Sequence, residues 1–187
     1  MKTRNLIRTG GTAILCLALS GLAYAALKVD TARSSVSAVS RQMGVPVEGK
    51  FKKFTAQIDY NAAKPEASKA SVDIDIASFD LGSAEFNGEV MKKDWFNAAQ
   101  HPKASFVSTS IKPAAGGKLD VAGKLTIKGK TGDVAFPLTI KKDGASQVFE
   151  GAVPIKRLTY NIGEGEWKDT SMVADEVVIK FRVVTAQ

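Results

Sequence analysis

The length, composition and charge of this chain exclude several classes of protein. With 187 residues, 44% of them hydrophobic and 24% charged, it can bury one sizeable core and is neither disordered nor a multi-spanning membrane chain. A single cysteine and a single histidine exclude a disulfide framework and argue against a zinc site. The net charge of +7 is spread along the chain and lacks the clustered basic stripe that nucleic-acid binding requires.

The first 25 residues have the pattern of a secretory signal peptide. Three basic residues precede an almost wholly apolar run at 12–23, and Ala23-Tyr24-Ala25 supplies the small-x-small cleavage pattern. The apolar run is short for a membrane span, so we favour cleavage over an uncleaved anchor. We therefore predict that residues 1–25 are removed before Ala26, that Cys16 is not lipidated and that the protein is periplasmic and not membrane-spanning once matured.

Export changes the composition of the folded chain. Removing residues 1–25 takes away three basic residues and no acidic one, so the net charge falls from +7 to +4. The only cysteine leaves with the same segment, and stability must then come from packing alone.

The mature chain, residues 26–187, alternates apolar and polar side chains with a period of two. This period predicts strands, because successive side chains of a strand point to opposite faces. The eight predicted strands are 36–43, 54–60, 70–76, 104–111, 119–127, 134–140, 149–155 and 177–183. Gly-, Pro- and Asn-containing turns separate them, which predicts one all-β domain with an antiparallel sandwich or barrel.

One segment departs from the strand pattern. Residues 83–96 carry apolar side chains at helical spacing, with Ser83 as a predicted N-cap and Glu89–Lys93 as a predicted i,i+4 pair. We predict one helix here, inserted between strands and lying across a barrel mouth.

The polar face of the strands distinguishes a soluble barrel from an outer-membrane barrel. An outer-membrane barrel turns an apolar band to the lipid, whereas Asp73, Asp75, Lys124, Lys180 and Arg182 place charges in mid-strand opposite the apolar face. A soluble barrel is therefore favoured. Such a barrel is either filled by its own side chains or holds one small ligand, and small residues on its apolar faces would leave room (Ala56, Ala70, Gly123, Gly151).

Catalytic and metal-binding patterns are absent from the sequence. No nucleophile motif occurs, and His101, followed by Pro102, has no local nucleophile to activate. The carboxylate pairs Asp73–Asp75 and Glu164–Glu166 are interpreted as solvated surface. We predict that the protein is not an enzyme and has no catalytic residue, no metal site and no cofactor besides a bound ligand.

Six segments, in this order, resemble the YceI family of periplasmic, polyisoprenoid-binding proteins. They cover the whole mature chain: VEGKFKKF at 47–54, the strand at 68–80, KDWF with HP-x-A-x-F-x-S between 93 and 108, GKLTIKG at 123–129, RLTYNIGEGEW at 157–167 and the strand at 177–181. Residues 86–91 depart from the family's Arg-Asp-x-His-Leu run, so polar contacts of other members do not transfer there.

The resemblance implies a lipocalin-like, eight-stranded antiparallel barrel with one inserted helix near a mouth. It also implies a carrier of a long-chain polyisoprenoid, a polyprenyl or quinone tail, held in an apolar tunnel. Arg157 is a candidate head-group contact. The expected tunnel wall and mouth are Phe54, Ile58, Val72, Ile74, Ile76, Phe86, Met91, Trp95, Phe96, Phe106, Leu125, Phe136, Leu138, Phe149, Val153, Trp167, Ile179 and Phe181.

Two other functions stay open beside the carrier. One is an accessory to membrane electron transport, with a quinone ligand and a b-type cytochrome as partner. The other is a stress-response protein whose barrel is filled and binds nothing. The oligomeric state also stays open, with a homodimer among the alternatives.

Overall fold

The structure, a computed structural model, describes residues 26–185. The predicted signal peptide and the last two residues lie outside this range. The described elements, in chain order, are β1 (Val29–Gln42), β2 (Val45–Phe51), β3 (Phe54–Asp59), β4 (Lys69–Asp75), β5 (Phe79–Asp80), α1 (Ala84–Val90), β6 (Lys103–Pro113), β7 (Leu119–Ile127), β8 (Lys130–Asp143), β9 (Ser146–Lys156) and β10 (Glu176–Thr185).

All the described strands belong to one antiparallel sheet. Its spatial order is β3-β4-β6-β7-β8-β9-β10-β1-β2-β5. The sheet is curled, because the residues that precede β1 meet the opposite edge strand: the backbone N–H of Leu27 donates to the carbonyl of Ile58 at 2.7 Å. The all-β antiparallel prediction is confirmed.

The structure has ten strands rather than the predicted eight. The two additional strands are β2, which contains Pro46 and Gly49 and lacks a clean alternation, and β5, which is two residues long. A two-residue turn joins β1 to β2, with positive φ at Met43 (46°) and Gly44 (80°). Left-handed turns of this kind favour Asn or Gly, so a Met at the first position hid the hairpin in the sequence.

The antiparallel order separates the molecule into two ends. The turns β3–β4, β6–β7 and β8–β9 lie at one end, which we call the turn end. The segment that holds α1 and the segment 157–175 between β9 and β10 lie at the other, the helix end.

Two groups of buried side chains fill these ends. The turn-end cluster is Ile58, Ile111, Leu119, Val121, Phe136, Leu138, Phe149, Val153 and Val183. The helix-end cluster is Val36, Phe51, Ile76, Phe79, Ala104, Leu125, Ile127, Tyr160 and Ile162. Phe106 and Phe181 pack against both clusters and therefore lie at their boundary.

The helix is shorter than the sequence predicted. It ends at Val90. Turns follow, in which the N–H of Phe96 donates to the carbonyl of Val90 at 3.0 Å. The side chain of Ser83 makes no capping bond, and Glu89 pairs with Lys92 rather than Lys93. The side chain of Asn87 instead fixes the segment ahead of the helix, because its amide oxygen accepts a hydrogen bond from the N–H of Leu81 at 2.7 Å.

Candidate functional site

A cavity of about 120 Å³ lies among the side chains of the turn end and the middle of the sheet. Every residue of the turn-end cluster lines it. The remaining apolar lining is Val36, Ala56, Ala70, Val72, Ile74, Phe106, Leu125, Val134, Ile179 and Phe181, and the polar or amphipathic lining is Asp59, Tyr60, Ser68, Lys69 and Ser105. The site is thus an apolar chamber, since even the polar residues of its lining turn only apolar atoms toward it.

Eleven of the eighteen predicted wall residues line this cavity. They are Ile58, Val72, Ile74, Phe106, Leu125, Phe136, Leu138, Phe149, Val153, Ile179 and Phe181. Their position follows from the alternation, because inward-facing residues of neighbouring strands share a face. Contact of these residues with a ligand stays a prediction.

The seven other predicted residues lie elsewhere. Ile76 is buried in the helix-end cluster, and Phe54, Met91, Trp95 and Phe96 pack against it. The other two are Trp167, whose ring packs tilted against that of Trp95, and Phe86, which is 58% exposed on α1.

The helix does not cover a mouth of this cavity, contrary to the prediction. None of the described residues between 75 and 104 lines it. Beside the helix, the ring of Phe96 packs edge-on against Phe51 and Phe79, with centroids 6.4 and 5.4 Å apart. The apolar residues after Ser83, apart from the exposed Phe86, therefore pack into the helix-end core.

The small residues on the apolar faces divide into two groups. Ala56 and Ala70 line the cavity and leave the space that the sequence predicted. Gly123 and Gly151 do not: a Cβ at Gly123 would collide with the ring of Phe106, and one at Gly151 would lie 2.5 Å from Cζ of Phe181. These glycines make room for aromatic rings of the protein itself.

Three phenylalanines form an aromatic layer at the inner limit of the turn-end cluster. The ring of Phe136 lies 5.6 Å from that of Phe106 and 5.6 Å from that of Phe181, centroid to centroid. Such tilted and edge-on pairs add about 0.5–1.5 kcal/mol each to the burial of the rings. We call these three residues the aromatic layer; all three line the cavity, and Phe106 and Phe181 also pack against the helix-end cluster.

Arg157 is a structural residue rather than a head-group contact. Its side chain is at the helix end and the residue is 2% exposed. Its five N–H donors all reach backbone carbonyls, those of Ala174 (3.1 Å), Ile162 (2.8 Å), Gly163 (3.3 Å), Trp167 (2.6 Å) and Val173 (2.7 Å). Burial lowers the pKa of this guanidinium, and the charge of Asp175 opposes that effect.

A lysine reinforces the same end. The Nζ of Lys128 donates to the carbonyls of Lys93 (2.7 Å) and Asn161 (2.8 Å) and to the carboxylate of Glu164 (2.7 Å). The bond from Lys128 lowers the pKa of Glu164. The segment after β9 is thus tied to the segment after α1.

Phe54 lines a separate, more open depression of about 380 Å³ on the β3–β4 side of the sheet. The depression also carries Lys52, Lys53 and Lys103 with Asp73 and Asp75. The two aspartates therefore occupy a polar surface, as the sequence indicated, rather than the apolar chamber.

Four lining residues near the β3–β4 turn were not predicted from the sequence. Asp59, Tyr60, Ser68 and Lys69 flank the β3–β4 turn, where the alternation stops. Tyr60 was assigned to a strand face but not to the wall, although it continues the phase of Ala56 and Ile58. The signal was present for Tyr60; the others required the three-dimensional turn.

Among residues 26–185, no three His, Cys, Asp or Glu side chains come together as a possible metal site. In the same range no helix is both long and apolar enough to cross a bilayer.

Fold and site together define a curled antiparallel β-sheet protein with an internal apolar chamber. A model of the YceI-like domain matches residues 27–185, and the chain belongs to this YceI-like family.

Individual relatives agree with this assignment. A UPF0312 protein of Pseudomonas putida is 39% identical over 98 residues, 52% of this chain and 51% of the relative. A UPF0312 protein of Ectopseudomonas mendocina is 34% identical over 120 residues, which are 61% of this chain and 63% of the relative. The matches thus span about half the length of the first of these curated relatives.

Solved structures share the fold. Burkholderia cenocepacia BcnA is 55% identical with a TM-score of 0.83, over 85% of this chain and 100% of that one. The second structure is a polyisoprenoid binding domain from Saccharophagus degradans, implicated in plant cell wall breakdown. It is 18% identical with a TM-score of 0.64, and the match covers 84% of this chain and 95% of that one. The YCEI protein of Campylobacter jejuni is 21% identical with a TM-score of 0.67, and the match covers 100% of this chain and 99% of that one.

Proposed function

We propose that the protein is a periplasmic binding protein for a polyisoprenoid lipid and performs no catalysis. The apolar chamber between β3, β4 and the remaining strands carries this proposal. Burying apolar surface contributes about 25 cal/mol per Å², so a methyl-branched chain gains affinity from such a wall without charged partners. Family membership and the polyisoprenoid-binding fold of the Saccharophagus domain support the same ligand class.

The size of the chamber constrains how the lipid is held. An apolar protein cavity of about 150 Å³ accommodates benzene, and this chamber of about 120 Å³ is of that order. It accepts one ring or a short branched segment of an isoprenoid in the present conformation. A long tail requires the side chains around the chamber to move apart.

The Leu27–Ile58 bridge supports a barrel around that tail. It joins the residues ahead of β1 to edge strand β3, so a tail within the curl has protein on all sides. Export by the predicted signal peptide would place this barrel in the periplasm, where an insoluble lipid needs a protein shell.

Filling the chamber tests the proposal directly. Ala70 lines the cavity opposite Ile58 in the β3–β4 register, so Ala70→Leu should occupy part of its volume. We expect calorimetry to show at least a tenfold loss of affinity for geraniol, about 1.4 kcal/mol. The matched control is Ala135→Leu, at an exposed position beside Phe136; it should bind like the parent. Equal binding by both variants would contradict binding in this chamber.

Lipid extraction identifies the natural ligand. Protein purified from its native periplasm should release a polyisoprenoid, detected by mass spectrometry. A polyprenyl lipid favours the carrier, and a quinone favours a role beside a membrane b-type cytochrome. An empty extract, together with no binding of added isoprenoid, would favour a filled barrel without ligand.

A further inference from the structure

The curl of the sheet closes where residues 27–35 meet β3, and we call this junction the seam. Neighbouring strands within the sheet are joined by hydrogen-bonded ladders. Across the seam the described residues share no ladder, and their only strand pairing is the isolated bridge between Leu27 and Ile58. On the same side, β1 pairs with β2 only from Val36 onward. The seam is therefore the least hydrogen-bonded junction around the barrel.

A bulge in β1 explains why the seam is unpaired. The register of β1 against β10 shifts between Asp30 and Ser35, so residues 31–34 bulge out of the ladder. The carboxylate of Asp30 accepts from the N–H groups of Ala32 at 3.1 Å and Arg33 at 3.2 Å, which holds the bulge in shape. A bulge interrupts pairing and bends its strand. The first residues of β1 are thus set apart from its regular part.

The seam borders the chamber directly. On its β3 side, Ala56 and Ile58 line the cavity. On its other side, Leu27 and Val29 pack against the turn-end cluster without lining the cavity. Separation of the two sides would therefore open the chamber at Ala56 and Ile58.

The depression that contains Phe54 lies outside the same junction. Thr31 of the bulge and Thr55 of β3 both line it, so it spans the seam. Ile74 lines both the depression and the chamber, and the two hollows are therefore neighbours across the barrel wall.

The two ends of the barrel are bound more firmly than the seam. At the helix end, Arg157 and Lys128 bind backbone carbonyls, and the rings around Phe96 pack together. At the turn end, the N–H of Asn61 donates to Oγ of Ser68 at 2.9 Å and ties the β3–β4 connection together. Entry at the seam disturbs fewer bonds than entry at the helix end.

We infer that an isoprenoid enters the chamber sideways through the seam, when residues 27–30 and β3 move apart and the bulge at 31–34 absorbs the movement. This inference rests on the proposed function and assigns it an entrance. The ladder between β1 and β2 stays intact, because it begins only at Val36. A tail can then be laid into the barrel along the seam instead of being threaded through one end.

A disulfide across the seam tests this entrance. Lys28 and Gln57 are exposed and adjoin the bridged pair, and the predicted mature chain has no cysteine of its own. Lipid-free Lys28→Cys/Gln57→Cys, once oxidised, should associate with geraniol at least tenfold more slowly than the parent, as measured by NMR line-shape analysis. Reduction of the disulfide should restore the rate. The matched control is Gln57→Cys/Ser71→Cys, which links the same residue of β3 to its registered partner in β4; it should associate at the parent's rate.

Weakening the bridge should have the opposite effect. Leu27→Pro and Leu27→Ala both shorten the side chain, but only the proline variant removes the N–H that donates to Ile58. We expect geraniol to associate at least threefold faster with Leu27→Pro than with Leu27→Ala. This pair tests the seam even if the engineered disulfide does not form.

Three results decide the matter. An oxidised seam disulfide that leaves the association rate unchanged overturns the seam as the entrance, as do equal rates in the two Leu27 variants. Either result leaves the proposed function standing, because the parent still binds geraniol. No binding by the parent, in protein shown to be folded by thermal unfolding, refutes the proposed function and the entrance together.

Discussion

Replacing Arg157 by methionine should lower the free energy of unfolding by about 3–5 kcal/mol, a large part of the stability of a domain. Methionine keeps much of the aliphatic length but leaves five backbone carbonyls of residues 162–174 without their donor. Each buried acceptor that loses its partner costs about 1–3 kcal/mol where water cannot replace it. Urea denaturation followed by circular dichroism measures the loss.

The control is Arg33→Met, since Arg33 is exposed and pairs with Asp143 at the surface. Surface pairs contribute about 0–1 kcal/mol, so this change should be small. At a temperature where Arg157→Met remains folded, its affinity for geraniol should be within twofold of the parent. A selective loss of ligand affinity, with stability retained, would instead support the head-group role that the sequence suggested for Arg157.

Arg157 illustrates why one-dimensional patterns misassign polar residues. The sequence shows a conspicuous arginine ahead of a Gly-rich segment, and this pattern fits either a ligand contact or a loop support. The distinction depends on carbonyls contributed by residues 162–174, which fold back around the side chain. Such a convergence has no periodic signal along the chain.

The strand faces were predictable because burial follows a period of two. Phe136 and Leu138, for example, were assigned to the wall and both line the cavity. The interior of the barrel was less predictable, because a small residue looks the same whether it leaves a space or makes room for a neighbour. Ala70 does the first and Gly151 the second, and only the position of the Phe181 ring distinguishes them.

The helix was predicted in the right part of the chain, but it does not line the cavity. Its apolar stripe was interpreted as a lid over a mouth, whereas Met91 and Phe96 complete the helix-end cluster. Periodicity thus predicted which side chains face inward but not which end of the sheet holds the cavity.

Removal of one ring of the aromatic layer should lengthen the chamber. Phe181 lines the cavity and packs against both clusters, so Phe181→Ala enlarges the cavity on the side of the helix-end cluster. We expect the ratio of geranylgeraniol affinity to geraniol affinity to rise at least tenfold, because more of the longer tail becomes buried. The same change should cost about 3–5 kcal/mol of stability, the usual effect of truncating a core phenylalanine. Competition binding and urea denaturation measure the two effects.

Phe79→Ala separates the effect on ligand length from the effect on stability. Phe79 is a buried phenylalanine of the helix-end cluster, packed over Gly49 and away from the cavity lining. It should lose a similar amount of stability without any change in the preference for chain length. Should Phe181→Ala prove too unstable to assay, Phe181→Leu should shift the preference in the same direction by a smaller factor. An unchanged preference in folded Phe181→Leu and Phe181→Ala would mean that the aromatic layer does not limit the length of tail that the chamber holds.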